Sequence, residues 1–338
     1  MGRVHDAMAR IQERGMGASV TAAGFDVGRD FLDVCVAPVN ACRRASNTDA
    51  GIASLLALLR RHRVTRVVLE AIGPYAARLV QALVAGQFEV AIVDPRRIKG
   101  WRTAQGGRAK TDKVDAKLIA SFALVMPDVF RPLPDADTLR LRGLSTRRRQ
   151  LTEMMAMEKT RLKQALDPVV ATSHRDMIEL LKSQRAAIEA EMLACIDKAG
   201  LTERFDILMS APGVGTAVAL TLVADLPELG ELDRRSIASL AGLAPHISQS
   251  GLDRGKAAIS GGRPCVRAAL YMAALVASRS HPPIKDEYKA MVSAGKPPKV
   301  ALIAIARKHL LALGAHLREG RKWGTRPHKN DTQPLTPT

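Results

Sequence analysis

The sequence predicts an α/β domain followed by a mostly helical half, and three observations carry that reading. Short β-branched runs alternate with helical stretches over residues 21–135, long charged and methionine-rich helical periodicity fills 136–200, and glycine-punctuated helices continue over 201–320. With 47% of its 338 residues hydrophobic, the chain can bury such cores. Residues 1–20 are polar without an evident element and read as a mobile leader, and the polar, proline-containing stretch 321–338 reads as a disordered tail.

The elements follow in order. AGFDVGRDFLDVCVAP, residues 23–38, places Phe25, Val27, Val34 and Val36 around a Gly-Arg-Asp turn, which predicts two strands. IASLLALLRRH predicts a helix, VTRVVLEA a buried strand ending at Glu70, YAARLVQALVA a second helix, and FEVAIVDP a strand ending at Asp94 and Pro95. Strands alternating with helices at this spacing imply a sheet that is at least partly parallel. In the next region Leu144, Leu151, Met155, Leu162 and Leu166, and later Met177, Leu181, Ile188 and Met192, recur within each run at steps of four or seven. Asp167-Pro168 and the polar ATSHRD segment divide it into two helices, an antiparallel hairpin or coiled coil that could pair with a second protomer or lie along a duplex. Further on, Pro212-Gly213-Val214-Gly215 separates two helices in the manner of a helix-hairpin-helix turn, whose amides can hold a phosphate; a plain helix connection fits the motif equally.

Charge points to the partner. The formal net charge of +18 favours a polyanion through long-range attraction and counterion release, and nucleic acid is the expected one. Aromatic residues make up only 3% of the chain, which argues against stacking platforms for single strands and favours backbone and duplex contacts. No uncharged run of membrane-spanning length and no signal-peptide core is evident, which predicts a cytoplasmic protein. Cys35, Cys42, Cys195 and Cys265 lack CxxC or zinc-finger spacing and are expected as reduced, mostly buried thiols.

Acidic residues supply the chemistry. Asp26 lies in the first strand, Glu70 ends another, and Asp112 and Asp115 stand one helical turn apart behind Thr111 as a candidate N-cap. Singly, each reads as an edge, strand-end or first-turn carboxylate. Together, in one basic α/β domain, they match the ribonuclease-H-like arrangement that holds two divalent ions across a scissile phosphate. Asp30, Asp33 and Asp94 are nearby acids outside this set, Asp94 as a loop or supporting acid. Arg96, Arg97, Lys99, Arg102, Arg108, Lys110 and Lys113 surround the DxxD helix, and Arg148, Arg149 and Arg161 line the helical region. Both groups are candidates for nucleic-acid contact, against the plainer reading of solvated charge.

At this point a resemblance becomes specific. GFDVGRDFLDVCV, VVLEAIGPY, VDPRRIKGWRTAQGGRAKTDKVDAKLIASFA and the long block from APGVGTAVALTLVADL to RPCVRAALYMAAL together resemble the DEDD-type transposases of insertion-sequence family 110, over about residues 24–313. These include the Piv and MooV-related recombinases and the bridge-RNA-guided recombinases. The resemblance implies a RuvC-like domain with Asp26, Glu70, Asp112 and Asp115 holding Mg2+ in a two-metal site, or Mn2+ in its place. It also implies a serine nucleophile in the C-terminal domain, at Ser250 of HISQSGLDRG, that forms a covalent phosphoserine link to DNA. A structured noncoding guide RNA, a homo-oligomer of two or four protomers and a nucleoid-associated bacterial setting are implied as well. On its own Ser250 reads as a turn serine, with Ser248 and Ser260 as alternatives. Arg254, Lys256, Arg263 and Arg267 follow it and would suit DNA backbone or transition-state charge. The sequence departs from the family pattern at Gly28, Ile72, Pro74 and Gln249, the last directly before the serine. Tyr75, Tyr271 and Tyr288 lack the arginine and histidine companions of a tyrosine nucleophile.

Overall fold

The structure is a computed structural model that describes residues 21–70, 73–106, 112–126, 129–130, 135–246, 249–250, 253–254 and 258–324. The leader, Thr111, Arg108, Lys110, Lys256 and the tail beyond residue 324 therefore lie outside the described residues, as do the side chains of Asp112, Lys113, Ser250 and Arg254. The chain divides into two compact units, 1–134 and 135–338.

The first unit is built on a five-stranded mixed sheet in the order β3-β2-β1-β4-β5. Its strands are β1 (Ala22–Val27), β2 (Phe31–Ala37), β3 (Ala41–Ser46), β4 (Arg66–Glu70) and β5 (Glu89–Val93). β2 runs antiparallel to β1 and β3, while β1, β4 and β5 are parallel. Because alternate residues face opposite sides of a strand, β1 splits its side chains between two layers. Phe25 and Val27 join Leu32, Val34, Val36 and Leu69 under α1 (Asp49–Arg61) and α2 (Ala77–Ala85). On the other face, Ala22, Val68, Ala91 and Val93 pack with α3 (Pro95–Ala104) and α4 (Asp112–Val125) through Ile98, Ile119 and Phe122.

Two sequence expectations are corrected here. Cys35 and Cys42 form a disulfide rather than staying reduced, because the β2–β3 hairpin sets them directly opposite one another with Cα atoms 4.0 Å apart. Cys195 and Cys265 are free thiols. Asp94 is the N-cap of α3 rather than a loop acid: its Oδ1 accepts from the Arg96 amide at 2.7 Å, ahead of Pro95 in the first turn.

The second unit opens with an antiparallel hairpin of α5 (Ala136–Gln164) and α6 (Pro168–Lys198). Asp135 and Asp167 cap the two helices, the Asp135 carboxyl held below its ordinary range by the hydrogen bond from the Thr138 amide. The ATSHRD segment does not divide the helices as expected; residues 171–176 lie within α6, and the break falls between Gln164 and Pro168. Ion pairs Arg140–Glu191 and Arg148–Glu189 and the hydrogen bond between His174 and Glu158 run down the hairpin around a core of Leu151, Met155 and Leu181. At the base, the Ser145 hydroxyl donates to Asp225 at 2.6 Å.

The remaining helices are α7 (Thr202–Met209), α8 (Thr216–Asp225), α9 (Arg234–Leu240), α10 (Pro264–Ser280), α11 (Pro282–Ser293) and α12 (Pro298–Arg318). The Pro212–Gly215 turn joins α7 to α8, and Gly213 sits at φ +74° with its Cβ position 2.3 Å from the Ala273 carbonyl. Glycine is thus required there for packing on α10. One described helix, α12, is long and apolar enough to cross a membrane by length and composition alone, although Arg307 and Lys308 keep it from being an uncharged run. Its apolar face, Leu302, Ile305, Ala306, Leu310 and Leu313, is buried in the core of this unit.

His309 of α12 is 3% exposed and stacks on Trp323, which also stacks on His316. Burial, with the neighbouring His281 as a lesser cause, lowers its pKa from 6.5 to about 4. A histidine kept neutral by the fold takes up its proton more readily when unfolded, so its contribution is intact above pH 6.5 and is lost as pH falls towards 4. Over that window the unit is expected to lose about 3 kcal/mol. Urea titrations of the Trp101→Phe protein, read through Trp323 at pH 7 and pH 4.5, check this, and His309→Phe should flatten the difference.

Candidate functional site

Parallel pairing brings two of the expected acids together. Phe25 of β1 is in register with Leu69 of β4, so Asp26 and Glu70 follow at the ends of adjacent strands, roughly 4.8 Å apart across the sheet. Glu70 is in turn in register with Val93, and Asp94 follows it at the end of β5. The carboxyl ends of neighbouring parallel strands are where open α/β sheets bind ligands. Asp26 shares the face of Gly24, and Glu70 that of Val68, which is the face covered by α4.

Gly24 explains how α4 reaches that position. A Cβ on Gly24 would lie 2.1 Å from the Ala120 nitrogen and 2.6 Å from both the Ala116 oxygen and the Ile119 carbonyl carbon. The helix backbone therefore rests on the strand itself, which only glycine permits. Asp112 opens this helix and Asp115 lies one turn on. Asp26, Glu70 and the helix that opens with Asp112 thus lie on one face of one sheet.

α3 braces α4 through two contacts. The Trp101 indole N–H donates to the Ser121 hydroxyl at 3.0 Å, and Arg102 Nη2 donates to Asp115 Oδ1 at 2.5 Å. Arg102 and Asp115 are 22% and 13% exposed, so the pair is partly shielded from solvent. Sequence reasoning assigned Arg102 to nucleic acid; in the structure its charge is engaged by a site acid. The thirteen-residue separation gave no signal, because it corresponds to no helical or strand spacing.

Asp33 is a second acid on this face. It stands opposite Asp26 in the β1–β2 register, is 6% exposed, and accepts from Arg44 Nε at 3.0 Å on both oxygens and from Nη2 at 2.7 Å. Like charges opposite one another on a sheet repel, and the Arg44 fork offsets the charge of Asp33.

Among the described residues no three Asp, Glu, His or Cys side chains form a group able to hold a metal, so Asp26, Glu70 and Asp115 do not make one by themselves; the Asp112 side chain lies outside the described residues. The donor chemistry nevertheless fits a hard divalent ion. Asp26, Glu70, Asp112 and Asp115 offer only carboxylate oxygens, and Asp115 already draws a cation to itself in Arg102.

Ser250 belongs to a small β element that the sequence did not predict. β6 (Pro245–His246) pairs with β9 (Ala258–Ile259), and β7 (Gln249–Ser250) pairs with β8 (Asp253–Arg254), with Ser250 opposite Asp253. Its base is fixed by two of the arginines expected to meet DNA. Arg263 grips Glu228 through both terminal nitrogens, at 2.6 and 2.7 Å, and donates to the Asp225 carbonyl at 2.8 Å. Burial pushes the Glu228 carboxyl up, but this fork more than offsets it and holds it below the ordinary range. Arg267 donates to the Gly261 carbonyl at 2.8 Å. The other basic candidates are spread out. Arg97 lies over the Phe122 ring, Arg148 pairs with Glu189 and Arg161 with Glu158, while Arg96 and Lys99 are exposed on α3 and Arg149 is half-buried on α5.

Comparison with known proteins gives two matches along the chain. Residues 23–171 match a family described as transposase, in its DEDD form from IS110 elements, and residues 205–289 match the transposase IS116/IS110/IS902 family. The pilin gene-inverting proteins of Moraxella bovis and Moraxella lacunata are each 28% identical over 323 residues, covering 92% of this chain and all of theirs. An uncharacterized 43.6 kDa protein of insertion element IS110 from Streptomyces coelicolor is 29% identical over 160 residues, 47% of this chain and 39% of that protein. Among solved structures, T. thermophilus RuvC in complex with a Holliday junction substrate covers 34% of this chain and all of its own, at 17% identity and a TM-score of 0.27, too loose a match to support an argument. With one profile over the acidic sheet, a second over the serine-bearing unit and relatives matching along their whole length, the chain belongs to the IS110 family of transposases.

Proposed function

We propose that the protein cuts and rejoins DNA strands at the ends of an insertion element, using a ribonuclease-H-like, RuvC-like acidic site together with Ser250 as nucleophile. The observation that carries this reading is the register that sets Asp26 beside Glu70 on the face where α4, with Asp112 and Asp115, rests on Gly24.

Asp26, Glu70, Asp112 and Asp115 would hold Mg2+ or Mn2+, which when bound supplies charge neutralisation at the phosphate. In the cutting step the Ser250 Oγ–H bond breaks, Oγ bonds to phosphorus, and the phosphorus–oxygen bond to the departing strand breaks. The departing oxygen takes a proton, and the bond energy is kept in the phosphoserine link. Rejoining reverses the step with the oxygen of a different strand. The exposed Arg96 and Lys99, on the helix next to the acids, suit the incoming backbone. A structured noncoding RNA guides the choice of DNA, as the family resemblance implies, and the acids and serine are brought together within a homo-oligomer.

The test is a covalent adduct. Protein incubated with Mg2+, the RNA and element-end DNA should yield a denaturant-resistant protein–DNA band that is absent in Ser250→Ala and in Asp112→Ala. A band surviving in Ser250→Ala moves the nucleophile elsewhere, cleavage with no band in the unaltered protein points to a RuvC-like nuclease, and a full yield without RNA removes the guide.

A further inference from the structure

Three of the arginine–carboxylate pairs among the described residues differ in how fully the guanidinium is used. Arg44 meets Asp33 through Nε and Nη2, and Arg263 meets Glu228 through both terminal nitrogens. Arg102 touches Asp115 through Nη2 alone, and its Nε is buried with no hydrogen-bond partner. An ionic contact with one donor left unsatisfied is poorly defended, because the orphaned N–H carries its full desolvation penalty.

We infer that Arg102 is a positioning residue that stands in for the divalent cation at Asp115, holding that carboxylate at the site and yielding it when the ion arrives. The inference rests on the divalent reading of Asp26, Glu70, Asp112 and Asp115. A doubly charged ion on Asp115 repels the guanidinium and competes for the same oxygen, so the two occupants exclude one another. The exchange leaves α3 in place, since the Trp101–Ser121 hydrogen bond and the Trp101–Phe122 ring contact, centroids 6.1 Å apart, join α3 to α4 independently of Arg102. The released guanidinium therefore stays beside the acids, with a planar fork of donors free for a DNA phosphate. Binding of the ion and presentation of a phosphate clamp become a single event.

The experiment uses the full-length, metal-stripped protein in a Trp323→Phe background, so that Trp101 reports on the first unit. Mn2+ binding is read from the loss of the free-ion paramagnetic resonance signal, and melting from Trp101 fluorescence in chelator and in saturating Mn2+. Arg102→Gln is expected to bind Mn2+ about tenfold more tightly, a difference of about 1.4 kcal/mol. It is also expected to melt lower than the parent in chelator and to recover that loss in Mn2+. Arg102→Lys, which keeps the charge, should stay near the parent in both. Unchanged or weaker Mn2+ binding by Arg102→Gln, with binding abolished by Asp112→Asn, overturns the stand-in role alone. No Mn2+ binding by the parent overturns the role and the divalent reading together.

Discussion

Asp26→Asn and Glu70→Gln should each lower strand cleavage by at least about a thousandfold while leaving the fold intact, the scale expected when one anchor of a metal-assisted transition state is removed. Both changes are isosteric, and both residues are only half-buried at strand ends, so little packing is lost. What disappears is a formal charge at the place where adjacent parallel strands and α4 converge. Asp33→Asn is a separate case: that carboxylate is on β2, which does not adjoin β4, and it accepts from Arg44 on β3. Its loss should cost about 1 kcal/mol of stability, moderated by the half-exposed arginine, with cleavage per folded molecule retained. Single-turnover cleavage beside a urea titration separates the two outcomes, and equal activity loss in Asp26→Asn and Asp33→Asn would remove the distinction drawn between the acids.

Gly24→Val is expected to have the largest effect on folding. The added carbons have no free volume, since the atoms they meet are backbone atoms of Ala116, Ile119 and Ala120 rather than movable side chains. Either α4 is pushed off the sheet or β1 distorts, at a cost of about 3 kcal/mol or more. Trp101 touches α4 through Ser121 and Phe122, so its fluorescence in the Trp323→Phe background should show a midpoint shifted to much lower urea. Cleavage should fall even in the fraction still folded, because Asp112 and Asp115 travel with the displaced helix. A valine variant of parental stability would mean that α4 does not lie on the strand as described.

Much of the first unit could be read from pattern alone, because β1, β2 and β4 bury most of their residues, β5 buries three of five, and all four announce themselves through apolar, β-branched runs. β3 could not be read: ACRRAS is an edge strand with mostly exposed residues and no apolar alternation. α3 was hidden for a related reason, since PRRIKGWRTA buries only Ile98. The Cys35–Cys42 bridge followed from that unseen strand, as did the Arg44 partner of Asp33. ATSHRD looked like a break because a two-helix hairpin leaves most of each helix in water, where polar runs carry no meaning. Around Ser250 the strands are two residues long, below what any periodicity can register. Asp26 and Glu70 were legible because a carboxylate ending an apolar run is conspicuous; the pairing of Arg102 with Asp115 was not, because it is made between two helices whose packing no local pattern encodes.

The hairpin of α5 and α6 has a geometric consequence. At 1.5 Å per residue its 29- and 31-residue helices extend about 45 Å. Cross-ties at Arg140, Arg148 and Glu158 keep the two shafts from sliding past one another, and the Ser145–Asp225 bond fixes their base to α8. The far end presents Leu166, Val169 and Val170 to solvent. A rod of that length carries an apolar tip far from the helical core to which its base is tied.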